Sequence, residues 1–137
     1  MYKIIVVPVD LSHTEKLDKA LNTAADLAIH YSAELFLLGV TSPAPSDVAH
    51  NPKEFAEKLA GFAASQSTAR GVEFKTDAAV STDIAVDLDK VLDQEIHRLG
   101  ADLVVMASHV PGFRDYIFGS NSGYLASHTD VSVFVIR

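Results

Sequence analysis

The chain has 137 residues, 48% of them apolar and 21% charged, with a net charge of −7 at neutral pH and no cysteine. That length and balance predict one globular domain over residues 1–137. The acidic charge argues against a nucleic-acid partner, which needs a basic stripe, and the lack of cysteine excludes disulfides, thiolate nucleophiles and Cys-ligated metals.

No window is long and apolar enough to span a membrane, and residues 1–10 lack the layout of a signal peptide, which fits a cytoplasmic protein. Residues 3–9 are a nearly continuous apolar run, the pattern of a strand buried on both faces and so of a parallel sheet. Pro8 stands near its end, where a lost ladder donor matters least. Ser12 followed by Glu15 matches a capping box, so a helix is expected to start there. Leu17, Ala20, Leu21, Ala24, Leu27, Ala28 and Tyr31 would form its apolar face. Residues 33–40 read as a second buried strand. Residues 41–50, with Pro43, Pro45 and Ser46, read as a surface loop.

Asn51-Pro52-Lys53-Glu54 predicts a helix with Asn51 as its cap and Pro52 in its first turn. Phe55, Leu59, Phe62 and Ala63 are its expected buried side, and Gly71 ends it. Val72, Phe74, Thr76, Ala78 and Val80 alternate weakly, as in a strand near a sheet edge. A third helix starts near either Thr82 or Asp87, turns Ile84, Leu88, Val91, Ile96 and Leu99 to the core, and closes at Gly100. Residues 102–107 form a fourth buried strand, 120–128 a short helix and 131–136 a last strand. The order β-α-β-α-β-α-β-α-β predicts an α/β fold: a doubly wound parallel sheet with helices on both faces.

In the last strand, Val131, Val133, Phe134, Val135 and Ile136 leave Ser132 as the one polar residue. An exposed terminal strand of this kind would invite aggregation. It is therefore either central in the sheet or covered by a second copy across a two-fold axis.

The usual nucleotide and hydrolase signatures are missing. There is no Gly-Lys-Ser/Thr triplet, no Gly-x-Gly-x-x-Gly after the first strand and no Gly-x-Ser-x-Gly elbow. What remains is position, because open α/β sheets bind ligands at the carboxyl ends of their strands, where the strand order reverses. The candidates there are Pro8, Val9 and Asp10, then Gly39 and Val40, then Ala107, Ser108 and His109, and finally Gly119, Ser120, Asn121 and Ser122. The amides of Ser120, Asn121 and Ser122 either hold an anion or are capped by their own side chains. Asp10 either contacts a ligand or satisfies amides in the turn before Ser12. The histidines show no metal-ligand spacing. Asp87, Asp89 and Asp93 lack the glycine and terminal glutamate of a calcium loop and read as the solvated side of a helix. No pair makes a convincing base and positioned nucleophile, so catalytic and metal sites are not expected.

The run from Ile4 to Ser12, the segment Leu99-Gly100-Ala101-Asp102-Leu103-Val104-Val105-Met106-Ala107-Ser108-His109, and Gly119-Ser120 before a short helix together resemble the universal stress protein family, over nearly the whole chain. The resemblance implies a five-stranded sheet of order 3-2-1-4-5, of the adenine nucleotide alpha hydrolase-like kind, with its reversal beside Asp10 and Ala107. It implies a homodimer paired through residues 131–136. It also implies a site for ATP with magnesium: adenine against backbone groups at Val40 with Asp10 nearby, and phosphates on Ser108, His109, Gly119, Ser120 and Asn121. Ala107 and Val110 stand where that family's ATP-binding pattern has glycine, and the loop to Gly119 is one residue short. Ser108-His109-Val110-Pro111 and Tyr116-Ile117-Phe118-Gly119-Ser120-Asn121 resemble a branch of the family that also binds ATP. The functional expectation is a dimeric ATP-binding module for stress sensing or signalling. The alternative is the same fold with an empty site serving protein interaction, and a slow ATP hydrolase is the weakest reading.

Overall fold

In the computed structural model, which describes residues 1–107 and 125–137, the first apolar run is strand β1 (Ile4–Val9). With β2 (Glu34–Thr41), β3 (Phe74–Val80), β4 (Leu103–Ala107) and β5 (Ser132–Ile136) it forms one sheet. Every neighbouring pair is parallel, and the order is β3-β2-β1-β4-β5. The strand order thus reverses between β1 and β4, as the resemblance implied.

Strand periodicity sorts side chains to opposite faces of the sheet. Ile5, Val7, Leu35, Leu37 and Val105 pack on α1 (Asp18–Tyr31) and α2 (Pro52–Arg70), through Leu21, Ala24, Phe55 and Leu59. Val6, Leu38, Val104 and Met106 pack on the opposite side, against Leu88, Leu92 and Ile96 of α3 (Ile84–Arg98) and against Leu125 in the helical turn at 125–128. Each fully buried Leu or Ile here contributes roughly 1.5–3 kcal/mol, which is why the central strands carry almost no polar residues. Among the described residues, no helix is long and apolar enough to cross a membrane.

Local chemistry sets most boundaries as expected. The Asn51 side chain accepts from the Glu54 amide at 2.8 Å, and Pro52 fills the first helical position of α2. Gly71 and Gly100 take the positive φ (70° and 71°) that lets the chain leave α2 and turn from α3 into β4.

Three expectations are corrected. Ser12 does not cap an α-helix. Asp10 caps a 3-10 segment (Leu11–Lys16), His13 inside it has non-helical φ −139° and ψ 48°, and α1 begins at Asp18. The third helix is capped by Asp83, whose carboxylate accepts from the Val86 amide, one residue beyond Thr82. Its core stripe includes Leu92, which the periodicity passed over. The alternation of β3 holds only in part: Phe74 and Ala79 are buried, whereas Val80 is 50% exposed. Of the expected helix 120–128, only 125–128 lies within the described residues, and there it is helical.

Of the two positions open to the last strand, β5 takes the edge. Phe134 is 45% exposed. Just ahead of the strand, the Asp130 carboxylate lies 2.7 Å from Nε2 of His97 on α3. His97 also contacts the Asp93 carbonyl at 2.7 Å. These bonds to Asp93 and Asp130 raise the His97 pKa, and His97 lowers that of Asp130.

Two long-range contacts set the sheet's assembly. The Asp102 carboxylate accepts from the Lys3 amide (2.9 Å to Oδ2) and the Ile4 amide (3.1 Å to Oδ1), and the Asp102 amide donates to the Ile4 carbonyl at 3.0 Å. On the other flank, a Cβ added to Gly39 in β2 would stand 2.8 Å from Cζ of Phe55 and 3.3 Å from Leu59. Gly39 therefore permits the close approach of α2 to β2. Since Phe55 is buried and cannot swing into solvent, Gly39→Ala is expected to cost about 1–3 kcal/mol, read as a lower urea midpoint at unchanged slope.

Candidate functional site

The carboxyl ends of β1 and β2 diverge into a cleft of about 190 Å³. Val9 and Asp10 form one side, and Val40 and Thr41 the other. Leu38 lies at its base. Phe55, from the first turn of α2, and Ile84, Leu88 and Leu92, from α3, close it with apolar surface. Ser12, Ser42 and Ser46 bring hydroxyls to the rim. An apolar floor with a few polar groups at the edge is the usual make-up of a small-molecule site.

Asp10 is half-buried, and its Oδ1 accepts from the Ser12 amide at 2.9 Å. Of the two roles open to it, turn satisfaction is therefore in place, and the same residue also faces the cleft. Thr41 is buried at 7% exposure, yet among the described residues its hydroxyl makes only a 3.5 Å contact with the Ser42 carbonyl. That is long for an O–H···O bond and leaves the hydroxyl capacity for a ligand.

The loop after β2 carries the outer wall. Ser46 organises it: its amide donates to the Ala49 carbonyl at 2.8 Å, and its hydroxyl accepts from the Val48 and Ala49 amides at 3.3 Å. Val48 lines both this cleft and an adjacent open groove bounded by Leu11, Ser12, His13, Thr14, Asp47, Lys58 and Phe62.

The structure brings Val9, Asp10 and Val40 together in the cleft. Pro8 is buried behind them, opposite Leu38, and Ala107 ends β4 opposite Ile136, packed on the core; neither lines the cleft. Ser108, His109, Gly119, Ser120, Asn121 and Ser122 lie outside the described residues. Sequence reasoning missed Phe55, Ile84 and Leu88 as cleft residues, because their helical spacing marks them only as core, and Leu92, which lay outside the expected core stripe. It also missed Thr41, Ser42, Ser46 and Val48. Polar residues directly after an apolar strand end were the available signal for Thr41 and Ser42.

The acidic side of α3 is not the solvated face expected. Asp87, Asp89 and Asp93 are half-buried, and Asp89 Oδ1 is buried with no hydrogen-bond partner among the described residues. Burial raises the Asp89 pKa, against a smaller opposing influence from His128. Among the described residues, no group of three His, Asp or Glu side chains could hold a metal ion.

A parallel sheet of order β3-β2-β1-β4-β5, helices on both faces and a cleft at the strand ends define a doubly wound α/β protein of the nucleotide-binding type. The sequence profile described as "Universal stress protein family" matches residues 1–137, and the chain belongs to that family. Universal stress protein G of Shigella flexneri is 30% identical over 144 residues, covering 100% of both chains. Among solved structures, a universal stress protein in complex with cAMP has 20% identity and a TM-score of 0.67, covering 99% of this chain and 97% of its own. The universal stress protein from Archaeoglobus fulgidus in complex with dAMP has 19% identity and a TM-score of 0.67, covering 99% and 98%. These structures share the fold.

The cap role of Asp10 is separable from any ligand role. Asp10→Ala should lower stability by about 1 kcal/mol in chemical unfolding of the ligand-free protein, whereas Asp10→Asn, which keeps an acceptor for the Ser12 amide, should lose only a few tenths.

Proposed function

We propose that this chain is a dimeric adenine-nucleotide-binding module of the cytoplasm, taking ATP with magnesium and serving stress sensing or signalling, not an efficient enzyme. The observation that carries the reading is the cleft itself. Its apolar floor suits the flat faces of a purine, and its polar rim suits the base edge and the ribose. At about 190 Å³ it encloses a base, leaving the phosphates outside. In this reading the backbone at Val40 meets the adenine edge and Asp10 meets the ribose. Ser108, His109 and the amides of Gly119, Ser120, Asn121 and Ser122 hold the phosphates, and magnesium arrives with them, since Mg²⁺ is usually shared between phosphates and water. The choice of an adenine nucleotide is supported by the cAMP and dAMP complexes of the two structural neighbours.

The dimer part of the reading rests on β5. An apolar edge strand with Phe134 exposed needs a cover, and a second copy paired through Val131 to Ile136 supplies one. A second reading is favoured by Ala107 and Val110, which stand where the family's ATP-binding pattern has glycine: the same fold with an empty site, acting through protein contacts.

Calorimetric titration with ATP and Mg²⁺ separates the two. Saturable heat, lost in Ser120→Trp with the fold retained, is expected. No heat at millimolar nucleotide with folded protein would overturn the binding reading. In sedimentation, the wild type should run as a dimer and Phe134→Asp as a monomer; a monomeric wild type removes the dimer from the proposal.

A further inference from the structure

The wall of the cleft that is least supported by the sheet is the loop between β2 and α2, which supplies Ser42, Ser46 and Val48. Beyond the Ser46 turn it is tied to α2 by charge. Glu54 sits in the first turn of α2, where the Asn51 cap fixes its backbone. Its Oε2 accepts from the His50 amide at 3.2 Å and lies 2.9 Å from His50 Nδ1. Its Oε1 pairs with Lys58 Nζ, one helical turn on, at 3.3 Å. Lys58 in turn donates to the Val48 carbonyl. One carboxylate thus connects two points of the loop, directly at His50 and through Lys58 at Val48. Phe55, the next residue after Glu54, is itself part of the cleft.

We propose that Glu54 is a positioning residue for the adenine-nucleotide site: with His50 and Lys58 it clasps the loop to α2, so that Ser46 and Val48 are already in place when the ligand enters. This rests on the nucleotide reading given above and deepens it. None of the three clasp side chains needs to touch the ligand. Glu54 and Lys58 are partly solvent-exposed, and exposed ion pairs add little to global stability. Their effect falls instead on the ordering that binding must otherwise supply, because a wall that is mobile in the free protein has to be immobilised at the expense of affinity. The hydrogen bond with His50, the largest influence, holds the Glu54 carboxyl below its usual range.

The test uses the full chain and two independent breaks, Glu54→Ala and Lys58→Met. Glu54→Gln is the conservative variant, since it keeps an acceptor for the His50 amide. Amide hydrogen exchange without nucleotide reads the loop, ATP calorimetry reads the site, and thermal unfolding reads the fold. Exchange at Val48, Ala49 and His50 should quicken in Glu54→Ala and Lys58→Met. ATP affinity should weaken about fivefold to tenfold in both, with unfolding midpoints near wild type and Glu54→Gln in between. Unchanged exchange overturns the clasp. Quickened exchange with wild-type ATP affinity overturns its coupling to the site. A wild type that takes no adenine nucleotide overturns the parent reading, and this inference with it, whatever the loop exchange shows.

Discussion

The contact on which the cleft depends is the one between Gly39 and Phe55. Because β2 has no side chain at that point, α2 settles onto the sheet at a depth that a methyl group would prevent. That depth places the Phe55 ring among the cleft-lining residues. The place of the Phe55 ring in the cleft is therefore a consequence of one missing Cβ in β2.

The cleft divides its tasks by residue type. Leu38, Val40, Leu88 and Leu92 offer surface but no direction, since the hydrophobic effect is non-directional. Direction comes from a few polar groups at the rim, among them Asp10, Thr41 and Ser42. Asp10 closes the turn that follows β1, so a group facing the cleft is also part of the local backbone structure. Such double use restricts what can replace it more than either role alone.

The fold was readable because its evidence is local. Ile4 to Val9 and Leu103 to Met106 announce buried parallel strands, and Asn51-Pro52 and Gly71 announce the ends of α2 by chemistry that acts within a turn. The capping box at Ser12 misled because Asp10, two residues earlier, takes the Ser12 amide first and winds a tighter turn. The site was less readable. Val9, Asp10 and Val40 follow from the strand-end rule, but Phe55, Leu88 and Leu92 reach the cleft only through tertiary packing. In a sequence, a core leucine and a cleft leucine carry the same periodicity. Gly39 was noticed for its place at a strand end, whereas its steric role needed the position of Phe55.

Asp102 closes the sheet by gripping the start of β1 across a separation of 99 residues from Lys3. Because synthesis runs from the N-terminus and domains fold as units, β1 is made first and can pair with β2 early, yet its other edge stays open until β4 has left the ribosome. For most of the chain's synthesis the centre of the future sheet is thus an unpaired, wholly apolar edge, the kind that pairs indiscriminately with other strands. The hazard that the finished molecule confines to β5 belongs, in the growing chain, to β1.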